Sequence, residues 1–189
     1  MHGLIVALVL SIGTFGLAHG GGAMPSRGTI EVAFAPHDDA EGAIVDVIDG
    51  ARREILVQIY IFTSRPIARA LLRAAARGVA VQVLADGNMH KRPKRNVLSM
   101  LLDGGIPLAL ETEFAAAHNK VLVVDAQGAR PVVVTGSYNF TWSAQRKNAE
   151  NLLILRDNPE LARAYADNWH RHRRLARPVT TLADLRRGG

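Results

Sequence analysis

The chain has 189 residues, of which 48% are hydrophobic and 21% are charged, a composition typical of one globular domain rather than of a disordered segment. It contains no cysteine, which excludes disulfides, cysteine nucleophiles and thiolate metal sites. The formal net charge of +6 suits an anionic partner such as a nucleic acid, a phosphate ester or an anionic membrane, and it equally suits a basic, soluble surface.

The N-terminal segment, residues 1–23, has the pattern of a secretory signal peptide. The apolar run over residues 4–10 continues to Ala18 without a charged residue, and small residues follow it. This run is short for a membrane span, which needs roughly 20 apolar residues, although an uncleaved anchor is the alternative. We therefore expect an exported protein, periplasmic or secreted, in which residues 24–28 form a linker.

Strands and helices are predicted to alternate through the first half of the domain that follows. The β-branched and alternating segments predict strands over 29–35, 54–62 and 79–85. Helices are predicted over 38–53, 64–78 and about 95–102. Asp38 and Ser64 are the expected N-caps of the first two helices, because their side-chain oxygens can accept free backbone N–H groups.

The second half adds strands with no helix between two of them. The predicted strands cover 106–110, 120–124, 131–135 and 152–156, and Asn158 caps a last helix that ends near Arg174. This order predicts an α/β fold, a mixed β-sheet flanked by helices on both faces, in one domain over 29–177. We expect the basic tail, residues 178–189, to fray.

Two polar residues at the start of the 120–124 strand are the first candidates for chemistry. His118 and Lys120 are two positions apart, so an extended chain places both side chains on one face. Asp125 has the opposite parity and points to the other face if the strand is regular. A histidine beside a fixed cation can act as a nucleophile or a base, although a lone histidine here is more often structural.

A second polar cluster follows the next two predicted strands. Gly136, Ser137 and Asn139 come directly after the 131–135 strand, and Glu150 precedes the 152–156 strand. They supply a hydroxyl, an amide and a carboxylate that could orient an imidazole. A serine hydrolase built on Ser137 is disfavoured, because the sequence lacks the Gly-x-Ser-x-Gly elbow around it.

Together the two clusters resemble the phospholipase D superfamily, whose signature is H-x-K-x4-D followed by G-S-x-N. The matching residues are His118, Lys120, Asp125, Gly136, Ser137 and Asn139. The resemblance is greatest to the small secreted bacterial endonuclease of that superfamily, which carries one such motif per chain. It extends over about residues 30–175 and implies the phospholipase D-like fold.

The resemblance also implies a role for each residue. His118 would attack phosphorus and form a covalent phosphohistidine, and a second His118 from another subunit would protonate the leaving oxygen. Lys120 and Asn139 would hold the phosphate oxygens with help from Ser137, and Glu150 would orient His118. Asp125 and Gly136 would be structural. No cofactor or metal ion is implied, and a single motif per chain predicts a homodimer with its active site at the subunit interface.

Basic and aromatic residues outside the motif suit a nucleic-acid substrate. Lys91, Arg92, Lys94 and Arg95 lie on one loop and are candidate phosphate contacts. Trp142 and Trp169 could stack on bases, but packing is the more common role of such residues. His170 and His172 have no accompanying set of metal ligands.

We therefore expect a metal-independent phosphodiesterase that acts as a non-specific endonuclease on DNA, RNA or both. Two alternatives use the same residues differently. One is a phospholipase D-type phospholipid hydrolase or phosphatidyl transferase, which an uncleaved anchor would favour. The other is a non-catalytic nucleic-acid-binding module, against which the complete set of site residues argues.

Overall fold

The structure, a computed structural model, describes residues 22–88 and 97–186. Eight strands in these ranges form one sheet. The strands are β1 (Thr29–Ala35), β2 (Glu54–Ile59), β3 (Ala80–Asp86), β4 (Leu108–Glu111), β5 (Lys120–Val124), β6 (Val132–Gly136), β7 (Glu150–Arg156) and β8 (Arg177–Val179).

The sheet is mixed, as predicted. Its strand order is β1-β7-β6-β5-β2-β3-β4-β8. The pairs β2–β3 and β3–β4 are parallel, and every other neighbouring pair is antiparallel. The parallel pairs arise where a helix joins the strands, and the antiparallel pair β5–β6 arises where only a short turn does.

Helices cover both faces of the sheet, which confirms the predicted architecture. The helices in the described residues are α1 (Ala40–Asp49), α2 (Arg65–Ala76), α3 (Leu98–Asp103), α4 (Trp142–Arg146), α5 (Pro159–Leu175) and α6 (Leu182–Arg186). The helices α1 to α3 pack on the face that carries Ile55 and Val57. On the opposite face α5 packs against Leu56, and the successive residues of β2 alternate between the two cores because the side-chain period of a strand is two.

Local capping explains where the helices begin, and it corrects one prediction. Ser64 caps α2 as expected, because its side chain accepts the Ile67 N–H. The cap of α1, however, is Asp39 and not Asp38. The Asp38 carboxylate instead accepts the Phe34 N–H at 2.7 Å and closes the turn after β1.

Two predicted elements are longer than the observed ones. The first helix ends at Asp49 rather than near Arg53, because the backbone N–H groups of Arg52 and Arg53 donate to the Asp125 side chain. The strand predicted over 54–62 ends at Ile59. Beyond that point the Tyr60 N–H still donates to the Asn119 carbonyl oxygen, and an isolated bridge joins Phe62 to Phe140.

The C-terminal segment is ordered where fraying was expected. Residues 177–179 form β8, which pairs with β4, and α6 follows with Leu185 buried in the core. The expected frayed tail is therefore wrong over residues 178–186, because this short segment covers the outer edge of the sheet. Across the described ranges, every helix falls short of the length and apolarity that crossing a membrane requires.

Candidate active site

Four strand ends converge at one end of the sheet and bring the two polar clusters together. Lys120 at the start of β5 pairs with Ile59 at the end of β2. Gly136 at the end of β6 pairs with Leu152 near the start of β7. Since neighbouring strands here run antiparallel, residues far apart in sequence meet in one open pocket. The pocket is lined by His118, Lys120, Gly136, Ser137, Asn139, Glu150 and Asn151.

His118 and Lys120 are in direct contact, as their spacing predicts. The Lys120 Nζ lies 2.9 Å from His118 Nδ1 and donates to the His118 carbonyl oxygen at 2.7 Å. Lys120 is buried and His118 is exposed, so the cation is held while the imidazole faces solvent. Burial lowers the pKa of Lys120, and the nearby Glu150 carboxylate opposes that shift.

The Lys120 contact determines the tautomer of a neutral His118. An ammonium group has no lone pair, so Nδ1 must be the acceptor and the ring proton must lie on Nε2. In this state the imidazole is a proton donor at Nε2. It becomes a nucleophile at Nε2 only after the proton moves to Nδ1, which requires Lys120 Nζ to leave that nitrogen.

Tyr60 is a site residue that the sequence analysis missed. Its ring centroid lies 4.4 Å from that of His118, and Lys120 Nζ lies 4.9 Å from the Tyr60 centroid. The ring thus restricts the imidazole on one side and favours the ammonium through its π face. Tyr60 follows directly after β2 ends, and a correctly placed end of that strand would have identified it.

Glu150 was expected to contact and orient His118, but its carboxylate binds other residues. Its Oε2 accepts the Ser137 hydroxyl at 2.5 Å and its Oε1 accepts the Asn148 side chain at 2.9 Å. The pairing of β6 with β7 places Glu150 against Ser137, whereas His118 Nδ1 faces Lys120. Within one chain, therefore, Glu150 influences the site through its charge on Lys120 and through Ser137.

Ser137 and Asn139 present different groups to the pocket. The Ser137 hydroxyl donates to Glu150 and accepts the Asn151 N–H, so its hydrogen is already used within the chain. Asn139 Oδ1 accepts the Ile61 N–H at 3.2 Å, which leaves the Asn139 amide NH₂ as a donor for a bound anion. Of the two residues, Asn139 is the one equipped to hold a phosphate oxygen.

Gly136 is required because the chain passes very close to β7. Its φ is 153°, and a Cβ built at this position would lie 2.3 Å from the Asn151 carbonyl oxygen. Any side chain would push the Ser137–Asn139 turn away from β7. The glycine of the G-S-x-N motif thus has a packing role beside the site.

Asp125 lies at the other end of β5, remote from His118. Its Oδ1 accepts the N–H groups of Arg53 and Glu54, and its Oδ2 accepts that of Arg52. Asp125 itself has a φ of 49°, outside the strand geometry that the parity argument assumed. The carboxylate ties the β5–β6 turn to the start of β2.

We expect Asp125→Ala to destabilise the fold by about 2–4 kcal/mol, because three partly buried backbone N–H groups lose their charged acceptor. Urea unfolding measures this loss. The free energy of unfolding of Asp125→Asn should lie between those of the native chain and Asp125→Ala, since asparagine keeps one oxygen. The turnover per folded molecule should not change. A stable but inactive Asp125→Ala would contradict the structural role.

We expect Glu150→Gln to lower the pH at which the Lys120 side chain loses its proton. The Glu150 charge raises the pKa of Lys120, so removing that charge lowers this pKa further and the cation is lost earlier as the pH rises. The measurement is an NMR titration of the Lys120 side chain, with the exposed Glu160→Gln as the control. A Lys120 titration that stays in place or moves to higher pH would show that the two groups are not coupled.

The remaining candidate residues lie at several places. Lys91, Arg92, Lys94 and Arg95 lie outside the described residues. Trp169 is buried and donates to the Val57 carbonyl, as a packing residue should. Trp142, in contrast, is 61% exposed with Lys147 Nζ 5.2 Å from its ring centroid, so it lies outside the core of this chain.

The histidines of α5 have separate partners. His172 Nδ1 lies 2.6 Å from the buried Glu111 carboxylate, and the His170 ring meets the Trp169 ring edge-on. Among residues 22–88 and 97–186, no cluster of three or more histidine, aspartate or glutamate side chains has the geometry to hold a metal ion.

The open pocket holds an imidazole beside an ammonium, together with an amide donor and a carboxylate. These groups can supply the acid–base catalysis and the charge stabilisation that a phosphodiesterase needs. Comparison with known proteins gives the family. The family described as "Cardiolipin synthase, PLD-like domain" matches residues 44–173, more than half of the chain. The chain therefore belongs to the phospholipase D-like family.

Individual relatives agree with this assignment. A phospholipase D of Rickettsia bellii is 37% identical over 144 residues, which cover 76% of this chain and 69% of the relative. A mitochondrial cardiolipin hydrolase of Xenopus laevis is 32% identical over 72% of this chain and 62% of its own length.

The fold is similar to that of solved structures in the family. Nuc from Salmonella typhimurium, a phospholipase D family member, superposes with a TM-score of 0.75 and 30% identity, over 81% of this chain and 99% of Nuc. NucT from Helicobacter pylori has a TM-score of 0.72 at 23% identity, over 80% of this chain and 99% of NucT. At this identity the similarity concerns the fold alone.

Proposed function

We propose that this phosphodiesterase is an exported, metal-independent endonuclease of low sequence preference that cleaves DNA, RNA or both through a covalent phosphohistidine. The observation that carries the proposal is the direct contact of His118 with Lys120 in a pocket that also holds Asn139 and Glu150. A phosphodiester repels an incoming nucleophile, so attack requires positive charge and hydrogen-bond donors aimed at its oxygens. Lys120 and the Asn139 amide supply both.

In the first step a ring nitrogen of His118 attacks phosphorus, and the bond from phosphorus to the leaving oxygen breaks. Binding of the phosphate draws Lys120 Nζ from His118 Nδ1 to a phosphate oxygen, and Nδ1 can then carry the ring proton. The leaving oxygen takes a proton from a second imidazole, which we assign to His118 of another copy of the chain. A homodimer follows from this need for two histidines, since each chain has one motif.

In the second step water attacks the phosphorus of the phosphohistidine. The second imidazole, now neutral, accepts the proton of the water, and the bond between phosphorus and His118 breaks. Both histidines return to their starting states, so no other reactant is consumed. One neutral and one protonated imidazole are needed at the start, so a bell-shaped pH–rate profile is expected.

The charge distribution supports a nucleic-acid substrate. Lys91, Arg92, Lys94 and Arg95 contribute four positive charges, and residues 89–96 contain no acidic residue, so the rest of the chain nets only +2. This segment follows β3, which ends beside β2 at the same end of the sheet as His118. On its far side, Val97 N–H donates to the Phe62 carbonyl.

The test offers the purified protein, in EDTA, four substrates in parallel: plasmid DNA, single-stranded DNA, RNA and phosphatidylcholine vesicles. The expected result is cleavage of nucleic acid with no release of choline. Loss of activity on chelation would overturn the metal-independent mechanism. Salt-dependent binding of nucleic acid without cleavage would instead support the non-catalytic module.

A second candidate, hydrolysis or transfer of phospholipid head groups, is supported by relatives named phospholipase D and mitochondrial cardiolipin hydrolase. The reacting groups would be the same, and only the substrate would differ. Choline release from the vesicles with intact nucleic acid would select this candidate. A vesicle containing cardiolipin extends the assay to the other named lipid.

We expect the double variant Arg92→Gln/Arg95→Gln to weaken nucleic-acid binding in a salt-dependent way. Each lost phosphate contact lowers the slope of log affinity against log salt by about 0.9 for duplex DNA, so the slope should fall by about 2. The matched control is Arg52→Gln/Arg130→Gln, which removes two exposed arginines at the opposite end of the sheet. Equal slopes in the two double variants would exclude residues 91–95 as a phosphate contact.

A further inference from the structure

The short helix α4 carries an exposed aromatic ring beside the active site. Trp142, its first residue, has 61% of its surface exposed. A tryptophan side chain has a large apolar area, which folding usually covers. Trp169, the other tryptophan of the chain, shows that usual arrangement, since it is buried and donates to the Val57 carbonyl oxygen. The exposed ring of Trp142 is therefore available to a second molecule.

Both ends of α4 are fixed to residues of the pocket. Before the helix, the Thr141 N–H donates to the Asn139 carbonyl oxygen at 2.7 Å. Three residues span at most about 11 Å, so Trp142 lies close to Asn139. After the helix, the Asn148 side chain donates to Glu150 at 2.9 Å, and Asn139 and Glu150 both line the pocket. The Trp142 ring thus stands at the rim of the pocket, next to any phosphodiester bound there.

A buried side chain holds α4 rigidly against the rest of the fold. Gln145 accepts the Tyr138 hydroxyl at 3.2 Å and the Glu41 N–H at 2.9 Å, and it donates to the Asp38 carbonyl oxygen at 2.9 Å. Tyr138 belongs to the G-S-x-N turn, so the helix and that turn form one unit. A side chain on a rigid support loses little conformational entropy when it binds a ligand.

The surroundings of the ring suit a ligand that has a flat face and carries negative charge. Residues 136–149 include no aspartate or glutamate, so a phosphate that approaches this segment meets no acidic side chain of it. Lys147 Nζ lies over the Trp142 ring, 5.2 Å from its centroid. An ammonium group can cover only one face of a ring, which leaves the other face for a flat ligand.

We propose that Trp142 stacks on an unpaired base next to the phosphodiester in the pocket. This assignment rests on the proposed nuclease function and specifies how the substrate is held. In a duplex both faces of a base are already stacked, so only an unpaired base can take an aromatic side chain. Stacking tolerates every base, because each has a π face, so it adds affinity without adding sequence preference. Trp142 therefore favours a single strand over a duplex of the same sequence.

A nucleobase is favoured over a lipid surface as the ligand of this ring. A helix that binds to a membrane surface needs a broad apolar face. In α4 the other exposed residues, Ser143 and Arg146, are polar, and Trp142 is the only large apolar side chain. One exposed ring is enough to stack on a base and offers little area for insertion into a bilayer.

The experiment measures the binding of a labelled single-stranded oligonucleotide by fluorescence anisotropy. All chains also carry His118→Ala, so the strand stays intact. Trp142→Ala should weaken binding about 10- to 100-fold, and Trp142→Phe, which keeps an aromatic face, should recover most of that loss. The binding of a duplex of the same sequence should change by less than about threefold in Trp142→Ala, because its bases are already stacked.

Leu182→Ala is the matched control for the loss of an exposed apolar side chain. Leu182 is 45% exposed at the start of α6, which follows the strand at the other edge of the sheet. The single-strand affinity of this variant should equal that of its parent. An equal loss of affinity in Leu182→Ala and Trp142→Ala would overturn a specific role of Trp142.

The intrinsic fluorescence of the chain reports the stacking directly. Trp142 and Trp169 are its tryptophans, and Trp169 is buried, so quenching by an added strand reports on Trp142. The emission of the His118→Ala chain should fall as the oligonucleotide binds. The emission of the same chain with Trp142→Phe should stay constant over that titration.

Equal single-strand affinity of Trp142→Ala and its parent, or emission that is not quenched at saturation, would overturn the stacking assignment and leave the nuclease proposal standing. A chain that binds neither single strand nor duplex would overturn both. Emission that responds to phosphatidylcholine vesicles but not to the oligonucleotide would assign the ring to a lipid surface instead. Because binding is measured without cleavage, a chain that stacks on the strand but cleaves no nucleic acid would overturn the nuclease proposal alone.

Discussion

Replacing His118 by alanine is expected to lower the turnover of phosphodiester cleavage by about 10⁴-fold or more, because in the proposed mechanism this residue is both the nucleophile and the proton donor. The side chain is exposed, and its ring contacts Lys120 and Tyr60. Its loss should therefore change the free energy of unfolding by no more than about 0.5 kcal/mol. Single-turnover cleavage in EDTA measures the loss of activity, and thermal unfolding measures the change in stability.

The control for this variant is His170→Ala, which removes an exposed imidazole of α5 outside the pocket and should retain full activity. A covalent intermediate adds an independent readout. Rapid acid-free quenching should trap a phosphorylated native chain, detected by intact mass, and no such species in His118→Ala. Residual turnover within tenfold of the native enzyme would show that another group is the nucleophile.

Replacing Lys120 by methionine is expected to lower kcat/KM by about 100- to 1,000-fold, the cost of removing one preorganised donor from a developing anion. Methionine retains most of the buried volume of the lysine stem, so the packing around the side chain should be maintained. The variant also frees His118 Nδ1, so the Nε2–H tautomer loses its preference. The imidazole ¹⁵N shifts of His118 report that change directly.

Lys147→Met is the matched control for the loss of a lysine. Its ammonium lies over the exposed Trp142 ring rather than in the pocket, so activity should change little. Which of the two constants changes in Lys120→Met, kcat or KM, is also informative. A defect in kcat as well as KM indicates a contact that strengthens in the transition state, whereas a defect in KM alone would reduce Lys120 to a ground-state anion site.

The contact between His118 and Lys120 could be predicted from sequence because it depends only on local geometry. Two residues at i and i+2 share a face of any extended segment, whatever the rest of the fold does. The same locality explains why Ser64 and Asn158 were correctly identified as caps. Asp38 and Asp39 were confused because adjacent aspartates can both cap, and the turn after β1 decided which one did.

The partners of Glu150 and Asp125 could not be predicted, because they depend on which strands become neighbours. Glu150 contacts Ser137 since β7 pairs with β6 in one particular register. Asp125 binds the backbone at Arg52 and Arg53, residues more than seventy positions away, since β5 lies beside β2. Tyr60 entered the site for the same reason: β2 ends beside the start of β5.

The sequence by itself determined the class of fold, the phosphodiesterase signature and the candidate residues of the site. These properties follow from hydrophobic periodicity and from short spacings along a strand, and both survive without knowledge of the tertiary structure. Only the tertiary structure decided that Tyr60 lies beside His118, that Glu150 binds Ser137, and that Asp125 binds the backbone at Arg52. These contacts depend on which strands become neighbours and on their register, and neither is encoded in any local stretch of the chain.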